Sequence, residues 1–143
     1  MSNAQPVLSS VNLFVKDMPA ALAFYRRLGL AIPEGFEGRP HVAIALSNGL
    51  TLELDTVELT RSYDIGWQEP AGGSRTVFQF LLPSRQAVDD LFADLTGAGY
   101  NGHLPPFDAF WGARYAVVDD PDGNFLGLTS RQDPERSGPV PGH

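Results

Sequence analysis

Asp119, Asp120 and Asp122 stand around Pro121 and Gly123 in the run DDPDGNFLGL, placing three carboxylates where a hard divalent cation could use them. The spacing argues otherwise. The twelve-residue loop and closing glutamate of a calcium-binding hand are missing, whereas Pro121-Asp122-Gly123 has the chemistry of a tight turn, with proline presetting its own backbone and glycine taking the strained corner. These aspartates are expected to shape and solvate a hairpin. His41, His103 and His143 share no ligand spacing and read as surface or structural residues. With no cysteine in the chain, a disulfide, a thiolate nucleophile and a zinc–thiolate site are all excluded. Glu53 is a lone carboxylate inside the apolar run LTLELD, either a ligand-binding group or general base, or a solvated strand residue. Arg114 has two readings as well, contact with an acidic ligand or an ion pair with Asp119 or Asp120. Tyr63, Trp67, Phe107, Phe110 and Trp111 offer broad faces that suit stacking on a planar or cationic ligand, and equally suit anchoring loops or a dimer seam.

The elements that must position these groups belong to an ordinary globular chain. Its 143 residues are 43% hydrophobic and 19% charged, in the range of one domain or of two similar halves sharing a core. No apolar run approaches the roughly 20 residues of a membrane span, and the start lacks a secretion signal, so a cytoplasmic protein is expected. A formal charge of -7 without clustered Lys and Arg argues against nucleic acid and anionic membranes as partners, and leaves cationic small molecules permitted.

Two similar halves are visible in the order of elements. Ser9 to Val15 alternates as a half-buried strand, then Asp17 as N-cap, Pro19 in the first turn and Leu22, Phe24, Tyr25 and Leu28 at helical spacing define a helix ending at Gly29. Strands over His41 to Leu46 and Leu50 to Leu54 are joined by Asn48-Gly49, a hairpin signal. The second half repeats the order: a strand over Thr76 to Leu82, a helix from N-cap Ser84 to near Gly97 and Gly99, then a hairpin of Arg114 to Val118 with Asn124 to Thr129. Superposition places Ser10 opposite Val77, Asn12 opposite Gln79, Gly49 opposite Gly123 and Glu53 opposite Gly127. The first module covers about 7–56, a linker with a possible short helix about 57–73, the second module about 74–131, and a tail over 132–143 is expected to be flexible.

The stretches VNLFVKDMPAALAFYRRLGL, LTLELD and FWGARYAVVDDPDGNFLGL resemble the vicinal oxygen chelate superfamily of glyoxalase I, extradiol dioxygenases and bleomycin-resistance proteins, over nearly all of Ser9 to Ser130. The resemblance implies an α+β fold of two tandem βαβββ modules that curl into an open, cup-like mixed sheet with helices outside, often as a homodimer. It also implies four metal-ligand positions, which fall on Ser10, Glu53, Val77 and Gly127. Only Glu53 carries a good donor there. Catalytic metal sites keep about three protein ligands, so no metal and no cofactor are expected.

Strand alternation then assigns the cup lining. Val11, Leu13, Leu52, Leu54, Phe78, Phe80, Leu126 and Leu128 are expected beneath the helices, with Ser10, Asn12, Phe14, Thr51, Glu53, Val77, Gln79, Leu81, Phe125 and Thr129 facing the concavity. Candidate ligand-binding residues are therefore Ser10, Asn12, Phe14, Glu53, Trp67, Gln79, Phe110, Trp111, Arg114 and Phe125, with Asn12 and Gln79 either orienting a ligand or bonding each other. The function expected is metal-free binding of a planar or cationic small molecule, as in antibiotic-sequestering relatives. The alternative is a glyoxalase- or dioxygenase-type enzyme, metal-dependent through atypical ligands or metal-independent with Glu53 moving a proton.

Overall fold

Helix boundaries follow the capping residues. The computed structural model describes residues 4–142, so His143 lies outside the described residues. The chain divides at Pro70 into two compact units. In the first, β1 (Ser10–Val15) leads to α1 (Met18–Leu28), where the Asp17 carboxylate accepts from the Ala20 amide at 3.1 Å and Gly29 ends the helix at φ 120°. Next come β2 (His41–Ala45), β3 (Thr51–Thr56) and a short helix α2 (Val57–Tyr63), capped by the Thr56 hydroxyl. The sheet order is β1-β3-β2, with β1 parallel and β2 antiparallel to β3. Val42, Ile44, Leu52, Leu54, Leu13 and Val15 are buried along it, as a period of two requires.

The second unit contains β4 (Val77–Leu81), α3 (Arg85–Gly97), β5 (Gly102–Asp108), β6 (Arg114–Asp119) and β7 (Phe125–Thr129), in the order β4-β7-β6-β5. Ser84 caps α3, which packs on β5, β6 and β7 over Val88, Leu95, Ala116, Val118, Leu126 and Leu128. The two units thus carry sheets of three and four strands in one α+β chain, and the first has one strand fewer than a full βαβββ module. The Gly- and Pro-rich stretch after α1 forms no strand among the described residues.

Its counterpart in the second unit does form one, although Pro105 and Pro106 argue for a loop. Proline lacks an amide donor and is tolerated on an edge, which is where β5 lies, and the register slips between Gly102, Leu104 and Phe107. His103 is therefore a strand residue, stacked on Phe125 with ring centroids 4.4 Å apart.

Two further expectations change. Part of the tail is anchored: the Asp133 amide donates to Gly112 O, Ser137 pairs with Trp111, and the Gly138 amide donates to Phe110 O. The Asp119–Asn124 run is the hairpin turn it was read as, and the reason is specific. Asp120 Oδ1 accepts from the amides of Asp122 and Asn124 at 2.9 and 2.8 Å, so a buried carboxylate organises the turn from within.

Candidate functional site

In the first unit, the strand pairing decides which polar residues meet. Ser10, Asn12 and Phe14 of β1 are in register with Thr51, Glu53 and Asp55 of β3, and His41 of β2 lies directly across from Asp55. The Asp55 carboxylate, 4% exposed, accepts from Asn12 Nδ2 at 3.0 Å, from the Tyr63 hydroxyl at 3.0 Å, and from His41 Nδ1 at 2.5 Å. Burial alone would raise its pKa; the hydrogen bonds from Asn12, His41 and Tyr63 outweigh that and hold the carboxyl below the usual range. The imidazole is thereby fixed with Nδ1–H toward Asp55, which leaves Nε2 for other partners, with Glu53 Oε1 3.8 Å away.

His41, Asp55 and the Tyr63 hydroxyl form a constellation the sequence reading did not assemble. The sequence put the end of β3 at Leu54, leaving Asp55 outside the strand. One more residue of strand brings Asp55 into β3, but equal counting outward from Asn48-Gly49 sets it opposite Val42; the pairing with His41 follows from the register of the folded hairpin, in which Ala45 lies across from Thr51. Asn12 is spent on Asp55 rather than on Gln79. Phe14 and Trp67 meet edge to face at 5.9 Å, with Arg61 over the indole at 5.2 Å, so this aromatic pair is packed against its own unit.

The second unit gathers aromatic rather than polar groups. Alternation sends Tyr115, Val117 and Asp119 of β6 to the face shared by Val77, Gln79 and Leu81 of β4 and Phe125, Gly127 and Thr129 of β7. On that face Trp111 contacts Tyr115 at 5.4 Å, Phe110 at 5.0 Å and Phe107 at 6.2 Å, all edge to face. Phe107 and Phe110 remain 37% and 36% exposed, while Ala109, Tyr115 and Val117 are buried with Trp111 and Phe125 packed against them. Burial raises the Tyr115 phenol above its ordinary pKa, so it stays a neutral donor at neutral pH.

Arg114 does not belong to this face. Its neighbours Tyr115 and Ala116 alternate, and the guanidinium turns to α3 and β5, where it binds Asp89 at 2.9 Å and Asp108 at 3.2 Å. The partners expected from sequence, Asp119 and Asp120, are engaged elsewhere: Asp119 accepts from Asn101 and Asp120 holds the turn.

The four positions of the metal-binding relatives can be tested for fit. Glu53 offers a carboxylate and Ser10 a hydroxyl, Val77 nothing. At Gly127 the room is gone as well: a Cβ there would lie 3.0 Å from Gln79 Cγ, 3.1 Å from Val77 Cγ1 and 3.1 Å from the Tyr115 hydroxyl. No group of three His, Asp or Glu among the described residues is placed to hold a metal ion. The donor set does not fit the divalent metal. An open cleft of about 380 Å³ lies elsewhere, at the start of α1. Asp17 serves as cap, Lys16 pairs with Glu69, Glu37 pairs with Arg26 and Arg39 stacks on the Phe36 ring at 3.9 Å, so the charged groups of the cleft have partners of their own.

The profile of the Glyoxalase/Bleomycin resistance protein/Dioxygenase superfamily matches residues 7–128. Among solved structures, a glyoxalase/bleomycin resistance protein/dioxygenase from Nocardioides is 23% identical, with a TM-score of 0.71 over 99% of this chain and 91% of its own. A family enzyme from Burkholderia phytofirmans PsJN is 22% identical, with a TM-score of 0.74 over 86% of this chain and 97% of its own. A glyoxalase-related enzyme from Fulvimarina pelagi, also 22% identical, gives 0.74 over 90% and 89%. No curated protein sequence matches the chain. At these identities the likeness speaks for the fold alone.

Proposed function

The chain belongs to the glyoxalase/bleomycin resistance protein/dioxygenase superfamily, and from that footing we propose that it binds a planar small molecule on the aromatic face of its second unit, without the divalent metal of its enzymatic relatives. The observation that carries this reading is the cluster of Phe107, Phe110, Trp111 and Tyr115, which leaves two phenyl rings more than a third exposed beside an otherwise packed group. An exposed, contiguous aromatic patch costs solubility unless something covers it, and rigid edge-to-face rings form a ready stacking surface. The formal charge of -7 favours a neutral or cationic ligand over an anionic one. Sequestration of a planar antibiotic by a homodimer, as in bleomycin-resistance relatives, fits these features.

A thermal-shift screen of planar and cationic aromatic antibiotics tests the reading. A ligand at about 100 times its Kd stabilises the fold by roughly 2.7 kcal/mol, and Trp111→Ala should abolish the shift. A screen silent throughout would sink it, and so would one tightly bound equivalent of Zn, Ni, Mn or Fe in the purified protein.

A second reading is favoured by one observation, the His41 ring held between Asp55 at 2.5 Å and Glu53 at 3.8 Å. A ring oriented in this way can take a proton from a bound substrate at Nε2, leave the imidazolium paired with Asp55, and return the proton to another substrate atom, as a metal-independent isomerase or lyase does. A substrate turned over by the wild type and untouched by His41→Gln would support it; equal turnover by both proteins would count against it.

A further inference from the structure

We infer that the Tyr115 hydroxyl is the polar anchor of the second unit's site, donating a hydrogen bond to a neutral acceptor, a carbonyl oxygen or ring nitrogen, on the edge of a planar ligand. This rests on the reading that the aromatic face binds a ring.

Three observations converge on that hydroxyl. The Tyr115 side chain is 9% exposed, yet its hydroxyl makes no hydrogen bond within the described residues, whereas buried phenols usually find a partner. Its oxygen is nonetheless reachable, because Asp119 Oδ1 is the one enclosed side-chain polar atom without a partner among the described residues. Its direction is fixed by rings on two sides, Trp111 at 5.4 Å and 71° and Phe107 at 6.2 Å and 82°. The hydroxyl therefore sits over Gly127, 3.1 Å from where a Cβ would stand and beside Gln79 Cγ and Val77 Cγ1, which crowd the same position.

The surroundings select the ligand's chemistry. Gln79 pairs with Gly127 across the strands and keeps its amide uncommitted within the described residues, giving a second polar group that either donates or accepts. Thr129 spends its hydroxyl on the Ser130 carbonyl. The strand residues sharing this face include no Lys or Arg; besides Tyr115 itself, its ionisable groups are the Asp119 carboxylate and the His103 imidazole stacked on Phe125 at 4.4 Å. An anionic ligand would meet no guanidinium or ammonium among them. A phenol that stays protonated offers its hydrogen, so the matching ligand atom is a neutral acceptor in the plane of a ring held by Trp111 and Phe107.

Quinoline and naphthalene have nearly the same shape and differ by one ring nitrogen, which makes them suitable probes. Each is titrated into ¹⁵N-labelled protein at neutral pH, below the solubility of naphthalene, and binding is followed by the Trp111 indole N–H resonance, assigned with Trp67→Phe. The wild type should bind quinoline at least fivefold more tightly than naphthalene. In Tyr115→Phe, naphthalene affinity should stay within twofold while the preference disappears. Gly127→Ala, which keeps the hydroxyl but fills the position it addresses, should also erase the preference. Equal affinities in the wild type, or a preference that survives in Tyr115→Phe, would overturn the anchor and leave ring binding standing. Binding of neither probe would overturn both.

Discussion

His41 Nδ1 lies 2.5 Å from Asp55 Oδ1, a cross-strand pair between the first residue of β2 and the next-to-last residue of β3. Asn12 from β1 and Tyr63 from α2 bond the other carboxylate oxygen, so one buried acid ties together four elements of the first unit.

Removing that acid should be costly. Asp55→Ala leaves donors on three elements without their acceptor, and hydrogen bonds to a charged group contribute about 1.5–3 kcal/mol. We expect a loss of about 2–3 kcal/mol in urea unfolding, with Asn12→Ala losing less. A loss under about 0.5 kcal/mol would mean that solvent replaces these bonds freely.

The same carboxylate predicts an acid limb. Its folded pKa lies below the unfolded value of about 3.9, so over the interval between them the unfolded chain binds more protons and stability rises with pH. The contribution is fully present above the unfolded value and is lost as pH falls through the folded one. Urea midpoints from pH 7 to pH 2.5 should show the gap between wild type and Asp55→Asn closing below pH 4; a gap constant with pH would contradict the assignment.

Gly127 and Tyr115 should be energetically coupled. A methyl at position 127 must push Gln79, Val77 and Tyr115, each 3.0–3.1 Å away, and overpacking of this kind costs about 1–3 kcal/mol. Combined with Tyr115→Ala the cost should fall, giving a coupling above about 0.5 kcal/mol. Additive losses would show that the hydroxyl is not what crowds the position.

The anchored tail depends on another glycine. Gly112 sits at φ 92°, and a Cβ there would come within 2.3 Å of the Asp133 carbonyl oxygen. Backbone strain of this type costs about 1–3 kcal/mol, and releasing the tail is the cheapest relief. Gly112→Ala should therefore make the segment beyond Arg131 newly sensitive to limited proteolysis. Cleavage at the wild-type rate would argue against the attachment.

Arg114 offers a contrast. Its partners Asp89 and Asp108 are 37% and 69% exposed, and such pairs contribute about 0–1 kcal/mol. Arg114→Gln should lower stability by no more than that and leave ligand-induced thermal shifts unchanged. A lost shift would return Arg114 to the binding surface.

What the sequence determined by itself is local. Asp17, Ser84 and Gly29 mark helix ends because capping acts within a few residues, and Leu52, Leu54, Leu126 and Leu128 declare the buried side of strands because alternation has a period of two. The equivalence of Glu53 with Gly127 was legible for the same reason: Asn12 pairs with Glu53 and Gln79 with Gly127 in matching register. Tertiary structure alone decided what lies far apart in the chain. Strand β5 was hidden because an edge tolerates prolines that a local reading takes for a loop. Arg114 found α3 and β5 rather than its neighbours in sequence, since which face a strand turns to a helix fixes its charged partners. The Tyr115 hydroxyl over Gly127 required β6 and β7 to pair, and only then did the phenol occupy the place where a side chain would stand.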